Sequence, residues 1–140
     1  MPRKKRVLVV DDDIGILALL RAILKKDFEV TEARTADSAL EMLEHEAVDL
    51  VISDMKMPGM SGLEFLHEVR EWDMELPVIF VSGRDGGKSK DTAAGTDASA
   101  FIQKPFKKET LLKTVRQVLS NGHSAAPSAN GLGDIENLEY

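Results

Sequence analysis

The sequence predicts an open α/β fold in which a parallel sheet lies between two layers of helices. Two observations carry this prediction. Five short apolar runs alternate with helix-like segments along the chain, and the central runs consist mainly of Val, Leu and Ile. Such continuous β-branched runs are typical of strands buried on both faces. An α+β fold is the alternative, and the regular alternation of strand and helix disfavours it.

The first half of the chain supplies three predicted strands and two predicted helices. The apolar run at 7–10 is the first strand, and residues 28–32 alternate as expected for a strand nearer an edge. Asp13 is well placed to cap a first helix whose apolar residues recur three and four positions apart. Thr35 is placed to cap the second helix, and the third strand is predicted at 48–53.

The second half supplies two further strands and three further helices. A third helix is predicted at 63–70, and the apolar run at 78–81 is the fourth strand. A short helix is predicted at 88–94 on a weaker pattern, because that region is rich in Gly and lacks large apolar residues. The fifth strand is predicted at 100–103, and an amphipathic helix at 107–119 follows it.

Length and composition predict one globular unit followed by a tail. The chain has 140 residues, of which 43% are hydrophobic, and this suffices for one buried core. We assign residues 1–120 to a single domain. Residues 121–140 are rich in Ser, Ala, Asn and Gly, which is typical of a flexible linker or tail. In this tail, Leu132, Ile135 and Leu138 either dock as a helical turn or begin a further module.

Charge and cysteine content exclude several classes of function. The net charge is −6, with both signs spread along the chain, which argues against direct contact with nucleic acid. The chain has no cysteine, so disulfide frameworks and thiolate metal sites are excluded, as suits a cytoplasmic protein. No apolar run is long enough to cross a membrane, and the run behind the basic residues 3–6 is too short for a secretory signal.

Polar side chains stand at the ends of four predicted strands. Asp11 and Asp12 follow the first strand, Asp54 follows the third, Ser82 the fourth and Lys104 the fifth. Because the carboxyl ends of parallel strands lie at one edge of a sheet, these groups should converge on one crevice. Each has an ordinary explanation as a turn residue, but their joint occurrence does not. We therefore interpret this crevice as the functional site.

The crevice has the groups for metal-assisted phosphoryl transfer. Three carboxylates repel one another, and all-oxygen ligands favour Mg²⁺, or Mn²⁺, over zinc as the balancing cation. The alternative is an acidic cleft balanced by Lys104 alone. Asp is a known nucleophile that forms an aspartyl phosphate, and Asp54 is the candidate because it ends a central apolar run. The Ser82 hydroxyl and the Lys104 ammonium are suited to the phosphoryl oxygens.

Four motifs around these residues resemble the receiver domain of bacterial two-component response regulators. The resemblance covers about residues 6–119 and implies a flavodoxin-like fold with strand order 2-1-3-4-5 and five helices. Each motif alone is weak, but the set is specific. The motifs are Val-Val-Asp-Asp at 9–12, Ser-Asp-Met-Lys-Met-Pro-Gly at 53–59, Val-Ser-Gly at 81–83 and Lys-Pro-Phe at 104–106.

The resemblance implies a phosphoacceptor and a metal site. Asp54 would take a phosphoryl group from a sensor histidine kinase or a phosphotransfer protein. Asp12 and Asp54 would ligate Mg²⁺ directly, Asp11 would act mainly through water, and the backbone carbonyl of Lys56 would complete the protein ligands. The module would then be a switch that phosphorylates and slowly dephosphorylates itself, and not a turnover enzyme.

The resemblance also implies how the phosphoryl group is detected. Ser82 and Lys104 would contact it, and Phe101 would be the aromatic switch in the fifth strand. Two positions depart from the commonest family pattern: Phe101 stands where Tyr is usual, and Ser82 stands where Thr is commoner. Both keep the group that a switch needs, an aromatic ring and a hydroxyl. Lys56 and Arg84 each lie two residues beyond a site residue, and we expect them to modulate how long the acyl phosphate lasts.

Two other functions remain open at this stage. A Mg²⁺-dependent phosphatase of the haloacid-dehalogenase class would normally carry a second Asp two residues after Asp54, where this chain has Lys56. A phosphate-independent interaction module of the same fold is the other alternative. The output would be a downstream protein or a domain outside this chain, with a homodimer as a further option. The histidines are not expected to form a metal site; they are His45, His67 and His123.

Overall fold

A five-stranded parallel sheet forms the centre of the molecule, in a computed structural model that describes residues 4–73, 75–83 and 98–121. The strand order is 2-1-3-4-5, as predicted. The described elements follow one another as β1 (Arg6–Val10), α1 (Ile14–Leu24), β2 (Glu29–Ala33), α2 (Ala36–His45), β3 (Leu50–Asp54), α3 (Gly62–Trp72), β4 (Val78–Ser82), β5 (Ala100–Gln103) and α4 (Lys108–Asn121).

The alternating side chains of the central strands divide the core into two layers. Val7 and Val9 point to the layer under α1 and α4, whereas Leu8 and Val10 point to the layer under α2 and α3. All four are at most 1% exposed, because helices cover both faces of the sheet. The β-branched runs of the sequence are therefore explained by burial on two sides.

Two predicted strands start too early in the sequence, for identifiable reasons. The third strand begins at Leu50 and not at 48, because the Asp49 carboxylate accepts the Arg6 backbone N–H at 2.8 Å where a strand would use a carbonyl. The second strand begins at Glu29, since the Phe28 N–H still bonds to the Leu24 carbonyl of the preceding turn, at 2.9 Å. As an edge strand, β2 has the position expected from its alternating pattern.

The helix starts follow capping signals in the sequence. The Asp13 carboxylate accepts the N–H groups of Gly15 and Ile16, and the Thr35 hydroxyl accepts that of Ser38, as both predicted caps require. At α3, a capping box joins Ser61 to a glutamate three residues later. These caps aim the helices back across the sheet from the edge where the strands end.

One core residue of helix α3 was not predicted from the sequence. Leu66 and Val69 are buried as expected, but Phe65 is also fully buried and is one of the largest side chains in the core.

Three predictions concern residues outside the described ranges. They are the helix at 88–94, the role of Arg84 and the tail from 122 onward. No described helix is long and apolar enough to cross a membrane.

Candidate functional site

The carboxyl edge of the sheet brings the predicted polar residues together. Asp11 directly follows β1, Asp54 is the last residue of β3, Ser82 is the last residue of β4, and Lys104 directly follows β5. The strands are parallel and in register, with Asp54 opposite Val81. Four neighbouring strands therefore deliver their end groups to one crevice, the place where open α/β sheets bind ligands.

Three carboxylates form the floor and rim of this crevice. Asp11, Asp12 and Asp54 each offer an oxygen atom, and these atoms all lie within 4.8 Å of one another. Asp11 is buried, Asp54 is half-buried and Asp12 is exposed, so the cluster opens to solvent on one side. Asp11 is held in place because its Oδ1 accepts the Asp13 N–H at 2.9 Å.

Lys104 supplies the positive charge of the crevice. Its Nζ lies 3.3 Å from Asp11 Oδ2 and 3.7 Å from Asp54 Oδ1. Its own backbone N–H donates to the Ser82 carbonyl at 2.6 Å, which fixes the residue at the end of the sheet. The following peptide bond, to Pro105, is cis. The ammonium thus stands between the two least exposed carboxylates of the cluster.

The electrostatic balance of the crevice is unfavourable to ionised Asp54. Burial, followed by the negative charge of Asp11, raises the pKa of Asp54 above its ordinary value of 3.8. The Lys104 ammonium and the backbone N–H groups of Lys56 and Met55 act in the opposite direction without cancelling the rise. This carboxylate is therefore poorly neutralised by the chain alone.

The raised pKa of Asp54 has a consequence for stability. An acid whose pKa is raised by folding opposes folding once it ionises, so Asp54→Asn should stabilise the domain at neutral pH in EDTA. The gain should shrink as pH falls through the raised pKa and vanish below 3.8. Urea unfolding between pH 3 and 8 measures this. Glu68→Gln, at an exposed carboxylate of α3, is the control and should change little. An equal gain in stability from Asp54→Asn and Glu68→Gln would contradict the raised pKa of Asp54.

The other predicted residues occupy different parts of the same edge. Ser82 is 9% exposed at the mouth of the crevice. Phe101 is half-buried on β5 and packs on Phe80 of β4, with ring centroids 5.8 Å apart. Lys56 is exposed, and its backbone N–H lies 3.4 Å from Asp54 Oδ1. The part of the chain that the structure describes thus includes every predicted site residue except Arg84.

Two contributions to the site were missed by the sequence analysis. The backbone N–H groups of Met55 and Lys56 turn toward the Asp54 carboxylate, which side-chain motifs do not reveal. Gly62 lies against the backbone of Asp54, where a Cβ would come within 2.6 Å of the Asp54 carbonyl oxygen. The signal for Gly62 was its position at the first residue of α3, directly after the capping Ser61, where no turn requires a glycine.

The family of this chain follows from a comparison with protein-family models. The model described as the response regulator receiver domain matches residues 7–116. The chain belongs to this family. Receiver domains are signalling switches of two-component phosphorelay systems and interact with histidine kinases and output domains. The family normally uses Mg²⁺ at its acidic pocket, and the three clustered carboxylates of this receiver domain suit such an ion, with the Lys104 ammonium beside two of them.

Curated relatives of the receiver domain are longer regulators. The hydrogenase transcriptional regulatory protein HoxA of Cupriavidus necator is 36% identical over 141 residues, which is 98% of this chain and 27% of HoxA. The response regulator Rre1 of Synechocystis is 33% identical over 138 residues, or 94% of this chain and 59% of Rre1. The chain therefore spans less than two thirds of the regulators that it matches.

Solved structures agree with the receiver fold. A response regulator receiver domain from Clostridium thermocellum superposes with a TM-score of 0.78 at 28% identity, over 84% of this chain and 95% of that one. A CheY-like receiver domain protein from Methanospirillum hungatei gives a TM-score of 0.79 at 32% identity, over 85% and 96% of the two chains. The strand order and the layers of helices are thus those of the family.

Proposed function

We propose that this receiver domain accepts a phosphoryl group on Asp54 and that the acyl phosphate changes its protein-binding surface. The observation that supports this most strongly is the convergence of Asp11, Asp12 and Lys104 on Asp54 at the carboxyl edge of the sheet. A carboxylate oxygen of Asp54 would attack the donor phosphorus while the bond from phosphorus to the donor breaks. The electron pair of that bond leaves with the donor.

The carboxylates of the crevice would hold Mg²⁺, with Mn²⁺ as a substitute. Asp12 and Asp54 are the direct ligands in this proposal, Asp11 acts through water, and the Lys56 backbone carbonyl completes the protein ligands. Bound Mg²⁺ would neutralise charge on the phosphoryl oxygens. The chain contributes orientation, because the main-chain bond from Asp13 holds Asp11 and the backbone N–H of Lys56 lies beside Asp54.

Lys104 and Ser82 would bind the phosphoryl oxygens once Asp54 is modified. Lys104 already bridges Asp11 and Asp54, so its ammonium needs little movement to meet a phosphoryl group there. The Ser82 hydroxyl would draw toward that group and leave space that Phe101 could fill from its half-buried position on β5. Lys56 and Arg84 would set how readily water reaches the acyl phosphate.

The phosphodonor in this proposal is the phosphohistidine of a sensor histidine kinase or phosphotransfer protein in the cytoplasm. Exposed Ile14, the first residue of α1 and directly after the acidic residues 11–13, offers apolar contact for such a protein. We assign 1–120 to the receiver and 121–140 to a tail or linker. Since HoxA is named a transcriptional regulator, the output would be a downstream protein or a further domain. If a phosphorylated kinase transferred its phosphoryl group to Ile14→Asp as fast as to the wild type, docking of the kinase at Ile14 would be contradicted.

Acetyl phosphate labelling tests the proposed chemistry. With Mg²⁺, intact-mass measurement should show one added phosphoryl group on the wild type and none on Asp54→Asn, since an amide is not a competent nucleophile. EDTA should abolish the wild-type adduct. Asp13→Asn is the matched control: it removes a neighbouring carboxylate but keeps a good helix cap, so labelling should persist. Absence of any adduct would instead favour a phosphate-independent interaction module.

A further inference from the structure

A groove between α2 and α3 lies outside the acidic crevice and shares none of its carboxylates. It is a shallow, open groove with a volume of about 630 Å³. Its apolar lining includes Met60 and Leu63, which are half-buried and pack on the core without being covered by it. The residues that line it include Asp37, Met60, Leu63, Glu64, His67 and Glu68.

The rim of this α2–α3 groove is negatively charged. Asp37 comes from the first turn of α2, and Glu64 and Glu68 come from the first two turns of α3. All three are exposed, and among the described residues no Lys or Arg lines the groove. An apolar floor with acidic walls is complementary to a segment that carries both an apolar side chain and positive charge.

The arrangement of the acidic groups distinguishes between kinds of cationic ligand. Among the described residues, the carboxylates close enough to share one metal ion are those of the Asp54 crevice, and the groove acids are not in such a group. Their spacing along two helices suits several positive charges on an extended chain. The same negative charge disfavours nucleic acid and anionic membranes, which present phosphates. The exposed walls leave one side of a ligand in solvent, as for a docked peptide.

We propose that the α2–α3 groove docks a basic segment of a partner protein, anchored by an apolar side chain over Met60 and Leu63 and flanked by Lys or Arg residues that pair with Asp37, Glu64 and Glu68. The α2–α3 groove is separate from the phosphoryl site but includes part of the loop that follows Asp54. Met60 belongs to the connection between Asp54 and α3, and the Gly62 N–H at the end of that connection donates to the Met55 carbonyl at 2.9 Å. A docked segment therefore rests on the loop that follows the acceptor.

An NMR titration with a defined peptide tests this assignment without reference to phosphorylation. The probe is a short synthetic peptide of Leu residues flanked by Lys, added to the labelled domain in saturating Mg²⁺ so that the Asp54 crevice is occupied. Saturable shifts should map to the groove and its two helix starts. A peptide with Ser in place of Leu should bind about tenfold more weakly, because the apolar anchor is lost.

Charge-neutralising variants distinguish binding in the groove from general electrostatic attraction of the basic peptide to the acidic domain. Asp37→Asn combined with Glu68→Gln should weaken binding about fivefold, since two ion pairs are lost. Glu41→Gln combined with Glu44→Gln removes the same charge from exposed positions of α2 outside the groove and should leave affinity nearly unchanged. Equal weakening by both pairs, shifts spread over the whole acidic surface, self-association alone, or no saturable shift would each overturn the proposal.

Discussion

Replacing Gly62 with alanine should lower the free energy of unfolding by about 3 kcal/mol, because the new Cβ has no space. It would lie 2.6 Å from the Asp54 carbonyl oxygen, 2.8 Å from Met55 Cα and 2.9 Å from the Phe80 ring. Two of these neighbours are backbone atoms of the strand end and cannot rotate away. The collision therefore pushes α3 from the sheet or displaces the main chain that carries Asp54.

Chemical denaturation of Gly62→Ala measures this cost, and acetyl phosphate labelling of the folded fraction measures the displacement of Asp54. Labelling should be slower than in the wild type. Gly83→Ala is the matched control, since a Cβ at Gly83 meets no atom of the described residues within 4 Å, and its stability should stay close to that of the wild type. Wild-type stability in Gly62→Ala would show that the contact between α3 and β3 is looser than described.

Removing the Lys104 side chain should be the most costly change among the charged residues of the crevice. Lys104→Ala leaves Asp11, whose side chain is 2% exposed, without its ammonium partner. We expect a loss of about 2 kcal/mol at neutral pH in EDTA, since a buried carboxylate is then uncompensated. Mg²⁺ should reduce the loss, because a bound cation replaces the missing positive charge.

A double-mutant cycle identifies the cause of that loss. In an Asp11→Asn background the same Lys104→Ala change should cost much less, because the buried charge is gone. Lys107→Ala, at an exposed lysine three residues along the chain, should be nearly neutral. The account would be contradicted by an Lys104→Ala variant as stable as Lys107→Ala, or by a loss that is the same with and without the Asp11 carboxylate.

The parallel α/β sheet and the grouping of site residues were within reach of sequence reasoning because each depends on local pattern, whereas the strand order was expected only from the family resemblance. Apolar runs such as Val78–Ser82 are buried on both faces, and the residue that ends each run is placed by the geometry of a parallel sheet. Boundaries were less accurate where a side chain replaces a backbone partner, as Asp49 does for Arg6. When a side chain takes the place of a backbone acceptor in this way, the sequence shows no periodic pattern that reveals it.

The finer arrangement of the crevice depends on tertiary distances that the sequence does not encode locally. The sequence predicts that Lys104 reaches the crevice, but its distances of 3.3 Å to Asp11 and 3.7 Å to Asp54 depend on how three separate strands meet. The requirement for glycine at 62 arises from β3 and β4, which are separate segments of the chain. The α2–α3 groove likewise combines residues from two helices whose individual patterns are ordinary for amphipathic surfaces.

The central claim is that Asp54, and none of the neighbouring acids, carries the phosphoryl group. Borohydride reduces an acyl phosphate to a primary alcohol and releases phosphate, so the acceptor aspartate becomes homoserine and can be located by peptide mass spectrometry. After labelling with acetyl phosphate and Mg²⁺, homoserine should be found at position 54 alone. Homoserine at position 11, 12 or 13, or an adduct that survives in Asp54→Asn, would contradict the account.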